Sequence, residues 1–289
     1  MLVTGAGGML GREIVMTLEM QGHEVWGTDI TSTEERLDIT RPDQIRYAMI
    51  SFRPNWVVNC AAYTNVDGAE DHEEEALLLN AKGPEMLARA CRKNSVRLLH
   101  ISTDYVFDGT KDAPYREEDT PSPINVYGVS KLAGENAIRH LMTDYLIIRT
   151  QWLMGIHGRN FVSTILAAAQ VKETLQVVND QWGSPTFAPD LARAMAILME
   201  IEARGVFHVC NRGKATWYDL ACKAIECVGL GTRIVPVDTS AYPRPARRPL
   251  YSILSTMKFT KKTGKVMPLW QTALEDHVRD YLQHAKGSA

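Results

Sequence analysis

Cysteine is scarce in this chain and badly spaced for a structural role. The 289 residues hold five cysteines, Cys60, Cys91, Cys210, Cys222 and Cys227, an odd number with no C-x-x-C pair among them. Neither a disulfide framework nor a metal site is expected, and a thiol-reduced, cytoplasmic setting is. An excess of one charge is missing too. Thirty-two basic residues against 34 acidic ones leave a net charge of -2, which argues against nucleic acid or an anionic membrane as the main partner. No apolar run approaches the length of a membrane span, and the first residues read as a strand rather than a signal peptide. Repeats and low-complexity tracts are absent. What is present is a hydrophobic content of 45%, enough for a substantial core.

Strand and helix patterns alternate from the start. Residues 1–4 read as a strand stub and 9–21 as a helix, with Leu10, Ile14, Val15 and Leu18 at helical spacing. Residues 24–29 read as a second strand, completing a βαβ unit. The pattern predicts a helix over 42–52, a buried strand over 56–62, one long helix over 69–93, a strand over 96–103 and a proline-rich loop over 114–123. A helix carrying Tyr127 and a strand over 145–150 follow. Beyond residue 150 the alternation weakens: a helix over 161–171, a strand over 175–178, a helix near 189–203, a strand over 205–210, a helix from Trp217, a proline-rich stretch over 236–249 and a terminal amphipathic helix over 270–284. The expected fold is α/β, a doubly wound parallel sheet of Rossmann type over residues 1–150. A smaller C-terminal substrate-binding region occupies 151–289, with about 189–210 returning to the sheet.

Three local patterns carry chemistry. Gly5, Gly8 and Gly11 between the first strand and helix let the backbone turn tightly and aim N–H groups at a pyrophosphate. Asp29, at the end of the next strand, is placed for the adenosine ribose hydroxyls, which favours NADH over NADPH; Arg12, beside the third glycine, works against that preference. Asp38 and Ile39 are candidates to cap the adenine. Tyr127 and Lys131, four apart on a helix, share one face, so an ammonium lies beside a phenol and favours its ionised form. Ser102 and Thr103 put hydroxyls at a strand's carboxyl end. Together these read as a nicotinamide-dependent oxidoreductase using NADPH or NADH.

The chain resembles the extended short-chain dehydrogenases and, within them, the dTDP-4-dehydrorhamnose reductase family. The likeness rests on Thr4-Gly5-Ala6-Gly7-Gly8-Met9-Leu10-Gly11, Leu37-Asp38-Ile39-Thr40, Val58-Asn59-Cys60-Ala61-Ala62-Tyr63-Thr64 and Ser102-Thr103-Asp104-Tyr105-Val106-Phe107-Asp108-Gly109. It continues through Asn125-Val126-Tyr127-Gly128-Val129-Ser130-Lys131, Arg149-Thr150-Gln151-Trp152-Leu153, Gln181-Trp182-Gly183-Ser184-Pro185-Thr186 and Ala246-Arg247-Arg248-Pro249. The resemblance implies reduction of the C4 ketone of a dTDP-4-keto-6-deoxy sugar in nucleotide-sugar and polysaccharide biosynthesis. It makes Tyr127 the proton donor, has Lys131 hold the nicotinamide ribose and lower the Tyr127 pKa, and gives the ketone oxygen to Thr103, with Ser102 as the alternative. Asp104, Tyr105 and Trp152 match sugar-pocket positions. Gly5, Gly8, Met9, Leu10, Gly11, Ala61, Ala62 and Tyr63 match cofactor positions. Position 151 varies in the family, so Gln151 carries no signal.

Plain structural readings compete. Trp152 also suits core packing, His100 and His208 suit buried strands, and Cys60 suits small-residue filler. Arg244, Arg247 and Arg248, in a proline-stiffened segment, are candidates for the substrate diphosphate because no basic cluster stands out between residues 150 and 210. Two rival functions remain: a non-catalytic cofactor-binding regulatory subunit like the β subunit of methionine adenosyltransferase, and another nucleotide-sugar reductase or epimerase. A dehydratase would follow its hydroxyl with two acids, whereas Thr103 is followed by Asp104-Tyr105. Homodimer formation is left open.

Overall fold

A computed structural model describes residues 1–33 and 35–287, with side chains described through residue 284. Alternation along short apolar strands builds its two main cores. Val3, Val58, Leu99 and Ile148 face one side, while Leu2, Val57, Leu98 and Ile147 face the other, as the two-residue period of a strand requires. The strands are β1 (Leu2–Thr4), β2 (Trp26–Thr28), β3 (Trp56–Asn59), β4 (Arg97–Thr103), β5 (Tyr145–Thr150) and β6 (Gly205–His208). They form one sheet in the order β6-β5-β4-β3-β1-β2, all neighbours parallel. Helices α1 (Met9–Met20) and α5 (Ala188–Glu200) cover the first face. Helices α2 (Pro42–Phe52), α3 (Gly83–Lys93) and α4 (Val126–Leu141) cover the second. A further core gathers Leu166, Leu220, Trp270 and Leu274 from helices of the C-terminal half. Among the described residues no helix is long and apolar enough to cross a membrane.

Several elements depart from expectation. The strand over 56–62 stops at Asn59, whose side chain is buried and accepts from the Thr4 hydroxyl (2.7 Å) and the Ala61 amide (3.2 Å). A strand missed in the sequence, Arg233–Val237, pairs in parallel with Thr174–Val178. Its Pro236 argued against it, but both strands of a two-stranded sheet have an open edge where proline is tolerated.

The long helix over 69–93 is four pieces: Gly68–Asp71, Glu73–Leu77, a π-helical turn Leu78–Lys82, and α3. Pro84 has no N–H to return to the Asn80 carbonyl, and His72 lies outside helical dihedrals. The widened turn sends the Asn80 side chain inward, where its amide donates to the Tyr63 carbonyl (2.9 Å) and the Ser130 hydroxyl (3.0 Å). Gly134 of α4 lies so close that a Cβ there would collide with the Asn80 carbonyl oxygen. Gly134→Ala is therefore expected to lower unfolding stability by about 1–3 kcal/mol, as overpacking does. Urea denaturation reads this directly, and an unchanged midpoint would mean that the two helices are not held in contact.

Candidate active site

The chain passes from β1 to β2 on one side, and β3 lies on the other, so a crevice opens beyond the carboxyl ends of β1 and β3. A cleft of about 690 Å³ occupies it, running from the glycine turn to Trp152 and Trp217. Gly5 shapes the upper end. Its φ is +69°, and a Cβ would stand 2.6 Å from the Ala61 amide nitrogen, so only glycine fits. Gly8 caps α1 with no side-chain bond and no acid in the first turn, which leaves a helix N-terminus suited to an anion. Asp29 lies beside it, accepting from the Gly7 amide (3.1 Å) and from the amide and hydroxyl of Thr31 (3.0 and 2.8 Å). Burial alone would push its carboxyl up, but these bonds, with Arg12 nearby, hold it below the ordinary value. Met9, Leu10, Gly11, Asp38, Ile39, Ala61 and Ala62 line the same end. The Asp38 carboxylate is engaged by the Thr40 amide and hydroxyl. Tyr63 does not line the cleft; the Asn80 side chain clamps its backbone N–H and carbonyl.

The floor brings Thr103, Asp104, Tyr105, Tyr127 and Lys131 together. Asn125 caps α4 by accepting from the Gly128 amide (2.7 Å), fixing the turn that carries Tyr127. The Tyr127 phenol is hydrogen-bonded with the Thr103 hydroxyl, which bonds to Asp104 Oδ1 at 3.0 Å. Burial pushes Tyr127 up to about 12, with Asp104 adding to the rise. The expected lowering of Tyr127 by Lys131 is absent from this arrangement. The Lys131 ammonium donates instead to the Ile101 carbonyl (2.6 Å), and burial draws it down to about 8, against the Glu135 carboxylate. Ser102 also departs from expectation. It borders the cleft, but its hydroxyl donates to Glu135 Oε1 (2.5 Å), because strand alternation turns it away from the side of Thr103. Cys60 is pushed up to about 12 by burial and stays a thiol.

At the far end Trp152 lies flat on Trp217, with ring centroids 3.6 Å apart at 9°. Sequence reasoning missed Trp217, the start of a helix 65 residues further on, because only folding stacks it on Trp152. It also dismissed Gln151. That side chain is buried and its Oε1 accepts from the Ser184 amide (3.1 Å), tying down the segment beside Trp152. Arg159 and Asn160 line the cleft too, so the 150–210 stretch does contribute a basic residue. Arg247 and Arg248 do not line it. Arg247 is exposed, whereas Arg248 bonds to Asp67 (2.5 Å) and lies within reach of the Tyr105 phenol.

The fold and this cleft define an extended short-chain dehydrogenase. The chain belongs to the RmlD substrate binding domain family, whose model matches residues 1–283. It is 43% identical over 275 residues to a dTDP-4-keto-6-deoxy-D-glucose reductase of Streptomyces niveus, covering 94% of each chain. It is 38% identical to the dTDP-4-dehydrorhamnose reductase of Escherichia coli, covering 95% of each. The crystal structure of a Bacillus anthracis dTDP-4-dehydrorhamnose reductase in complex with NADP superposes with a TM-score of 0.93 at 35% identity, covering 96% of this chain and 98% of that one.

Asp104 gives the site a measurable signature. Burial pushes its carboxyl up to about 7, against the Thr103 hydrogen bond. A carboxyl with a raised folded pKa keeps its proton longer in the folded than in the unfolded state. It therefore costs stability progressively as pH climbs from the unfolded value of about 4 towards 7, and the full cost persists above that. Asp104→Asn removes that cost, so its gain in Tm should be larger near pH 8 than near pH 5. An equal change at both pH values would show that this carboxyl does not hold its proton in the folded state.

Proposed function

We propose that this protein reduces the C4 ketone of dTDP-4-dehydro-L-rhamnose to dTDP-L-rhamnose with NADPH or NADH, a step of nucleotide-sugar and polysaccharide biosynthesis. The observation that carries the reading is the hydrogen-bonded pair of Tyr127 and Thr103, at the floor of a cleft whose other end is an uncapped glycine-turn helix. The residues fit a dinucleotide. Gly5 removes the side chain that would block the backbone cradle, and Gly8 to Gly11 present amides to a pyrophosphate. Asp29 suits the ribose hydroxyls, with Asp38, Ile39, Ala61 and Ala62 alongside. The reduced nicotinamide supplies a hydride to C4. Tyr127 gives its phenolic proton to the oxygen of that carbon while Thr103 holds the same oxygen. Lys131 is the partner of the nicotinamide ribose and of the phenolate formed in the step. Asp104, Tyr105 and Trp152 receive the sugar, and Trp217 backs Trp152 as a stacking platform.

The relative that reduces a 4-keto-6-deoxy-D-glucose sugar, at 43% identity, supports a second substrate with the same ketone and another ring configuration. Purified protein should oxidise NADPH or NADH only when one of the two dTDP-4-keto sugars is present, and the ratio of kcat/KM names the substrate. Cofactor binding without turnover of either sugar would favour the regulatory-subunit reading. Tyr127→Phe should lower kcat at least about 100-fold, the contribution of a general acid, while cofactor Kd stays near wild type. Retention of more than about a tenth of kcat would remove Tyr127 as the acid.

Arg248, beside Tyr105 and half-buried, is the better placed of the two adjacent arginines for the diphosphate. Arg248→Ala should raise the sugar KM by about 1.5–3 kcal/mol, the worth of a charge-assisted contact, and leave kcat nearly intact. Arg247→Ala should do much less, since its side chain is exposed. Equal KM values for wild type and both variants would return the two arginines to a surface role.

A further inference from the structure

Behind the cleft floor lies an ionic cluster that the sequence reading did not single out. Glu135 and Arg149 are fully buried, and the guanidinium meets the carboxylate through two bonds, Nε to Oε1 (2.8 Å) and Nη2 to Oε2 (2.6 Å). Glu135 Oε1 also accepts from Ser102 (2.5 Å). The cluster thus joins three elements: α4 through Glu135, the end of β4 through Ser102, and the end of β5 through Arg149. Arg149 is itself held, with Nη1 3.4 Å from His208 Nε2 and its guanidinium 5.1 Å from the Phe107 ring centre. These bonds lie behind the cleft, yet Ser102 and Arg149 each neighbour a residue that lines it, Thr103 and Thr150. Ser102 stands between Ile101, whose carbonyl receives the Lys131 ammonium, and Thr103, which holds Tyr127. Glu135 is one helical turn beyond Lys131, on the same face.

We propose that Glu135, fixed by Arg149, is a positioning residue for the reduction: it clamps the 101–103 backbone under Tyr127 and shares the helix face of Lys131 one turn away. The charged and titratable groups facing Lys131 are Glu135 and Tyr127 on its own helix, Cys60 beyond β3 and His100 on β4. Of these only Glu135, bonded twice by the Arg149 guanidinium, is an acid side chain, while burial keeps Cys60 a thiol and His100 neutral. Arg149, bonded to both oxygens of the same carboxylate, offsets part of that charge. A buried pair costs desolvation that its attraction scarcely returns. Its place under the reacting groups gives it a use that stability does not.

The inference rests on the proposed reductase reading, and two readouts keep them separable: the pH dependence of kcat with the keto sugar, and the pH dependence of NADPH Kd by fluorescence without sugar. Glu135→Gln removes the charge and keeps the shape. The Glu135→Gln/Arg149→Met double variant leaves no buried charge unpaired and guards against a single variant that does not fold. In the single variant the alkaline limb of kcat and the loss of NADPH affinity should move down by about one pH unit, the effect of one adjacent charge. In the double variant, where both charges leave together, kcat should fall several-fold through the lost clamp on Ser102 while NADPH Kd and Tm stay near wild type. A folded single variant whose two pH profiles overlay wild type, or a folded double variant with wild-type kcat, would overturn the proposal. Wild-type protein that binds NADPH but reduces neither sugar would sink the reductase reading, and the binding profile alone would then decide the role of Glu135.

Discussion

Glu135 and Arg149 set the terms for the carboxyl edge of the sheet, because a charge taken out of water there has to be answered inside the protein. The pair fastens α4 to β4 and β5. The same rule recurs a few residues away. The Lys131 ammonium takes the Ile101 carbonyl, Asn59 links β1, β3 and β4 through Thr4 and His100, and Asn80 ties the 63–64 turn to α4. Five polar side chains thereby fix where the strand ends stand, and the cleft is the space they leave.

The apolar layers do a different job. Alternating Val, Leu and Ile residues press α1 and α5 on one face and α2, α3 and α4 on the other. That burial is non-directional and sets no angle at Tyr127. Orientation comes from the directional bonds at the edge, where the Asn125 cap and the Glu135 clamp hold the two ends of the α4 segment carrying Tyr127 and Lys131. Burial supplies the stability and hydrogen bonding supplies the aim.

What the sequence disclosed follows from this division. The glycine turn, the strand before it and the Tyr127–Lys131 spacing are local, with a fixed period, so they could be read without a fold. The parallel sheet followed from apolar runs separated by helices. The broken helix around Asn80 was hidden because its acidic-to-basic gradient looked continuous, and Pro84 alone did not say which carbonyl it would free. Trp217 against Trp152, Gln151 against Ser184 and Glu135 against Arg149 are partnerships across 65, 33 and 14 residues. No periodicity joins such positions. Ser102 stood as the alternative to Thr103 because sequence alone does not show that the strand turns the two adjacent hydroxyls to opposite sides.

Two atoms in the cleft break the rule that buried charge and polarity are answered within the chain. Asp104 Oδ2 and Thr150 Oγ1 are buried and have no hydrogen-bond partner, and they stand at neighbouring positions, since Thr103 and Thr150 are paired in the β4–β5 ladder. An unmet buried polar group costs roughly 1–3 kcal/mol. Elsewhere the fold avoids that cost at Glu135 with three bonds and at Asn59 with contacts to two strands. A carboxyl and a hydroxyl left open on the lining of one cleft, with Tyr127, form a donor and acceptor pair that a polyhydroxylated ring can satisfy and an apolar one cannot. Burial raises the pKa of Asp104 to about 7 at the same place, against hydrogen bonds from Ser252 and Thr103. Stability given up at these two atoms is recovered when a polar ligand enters the cleft, which is the place the proposed reaction gives to the sugar.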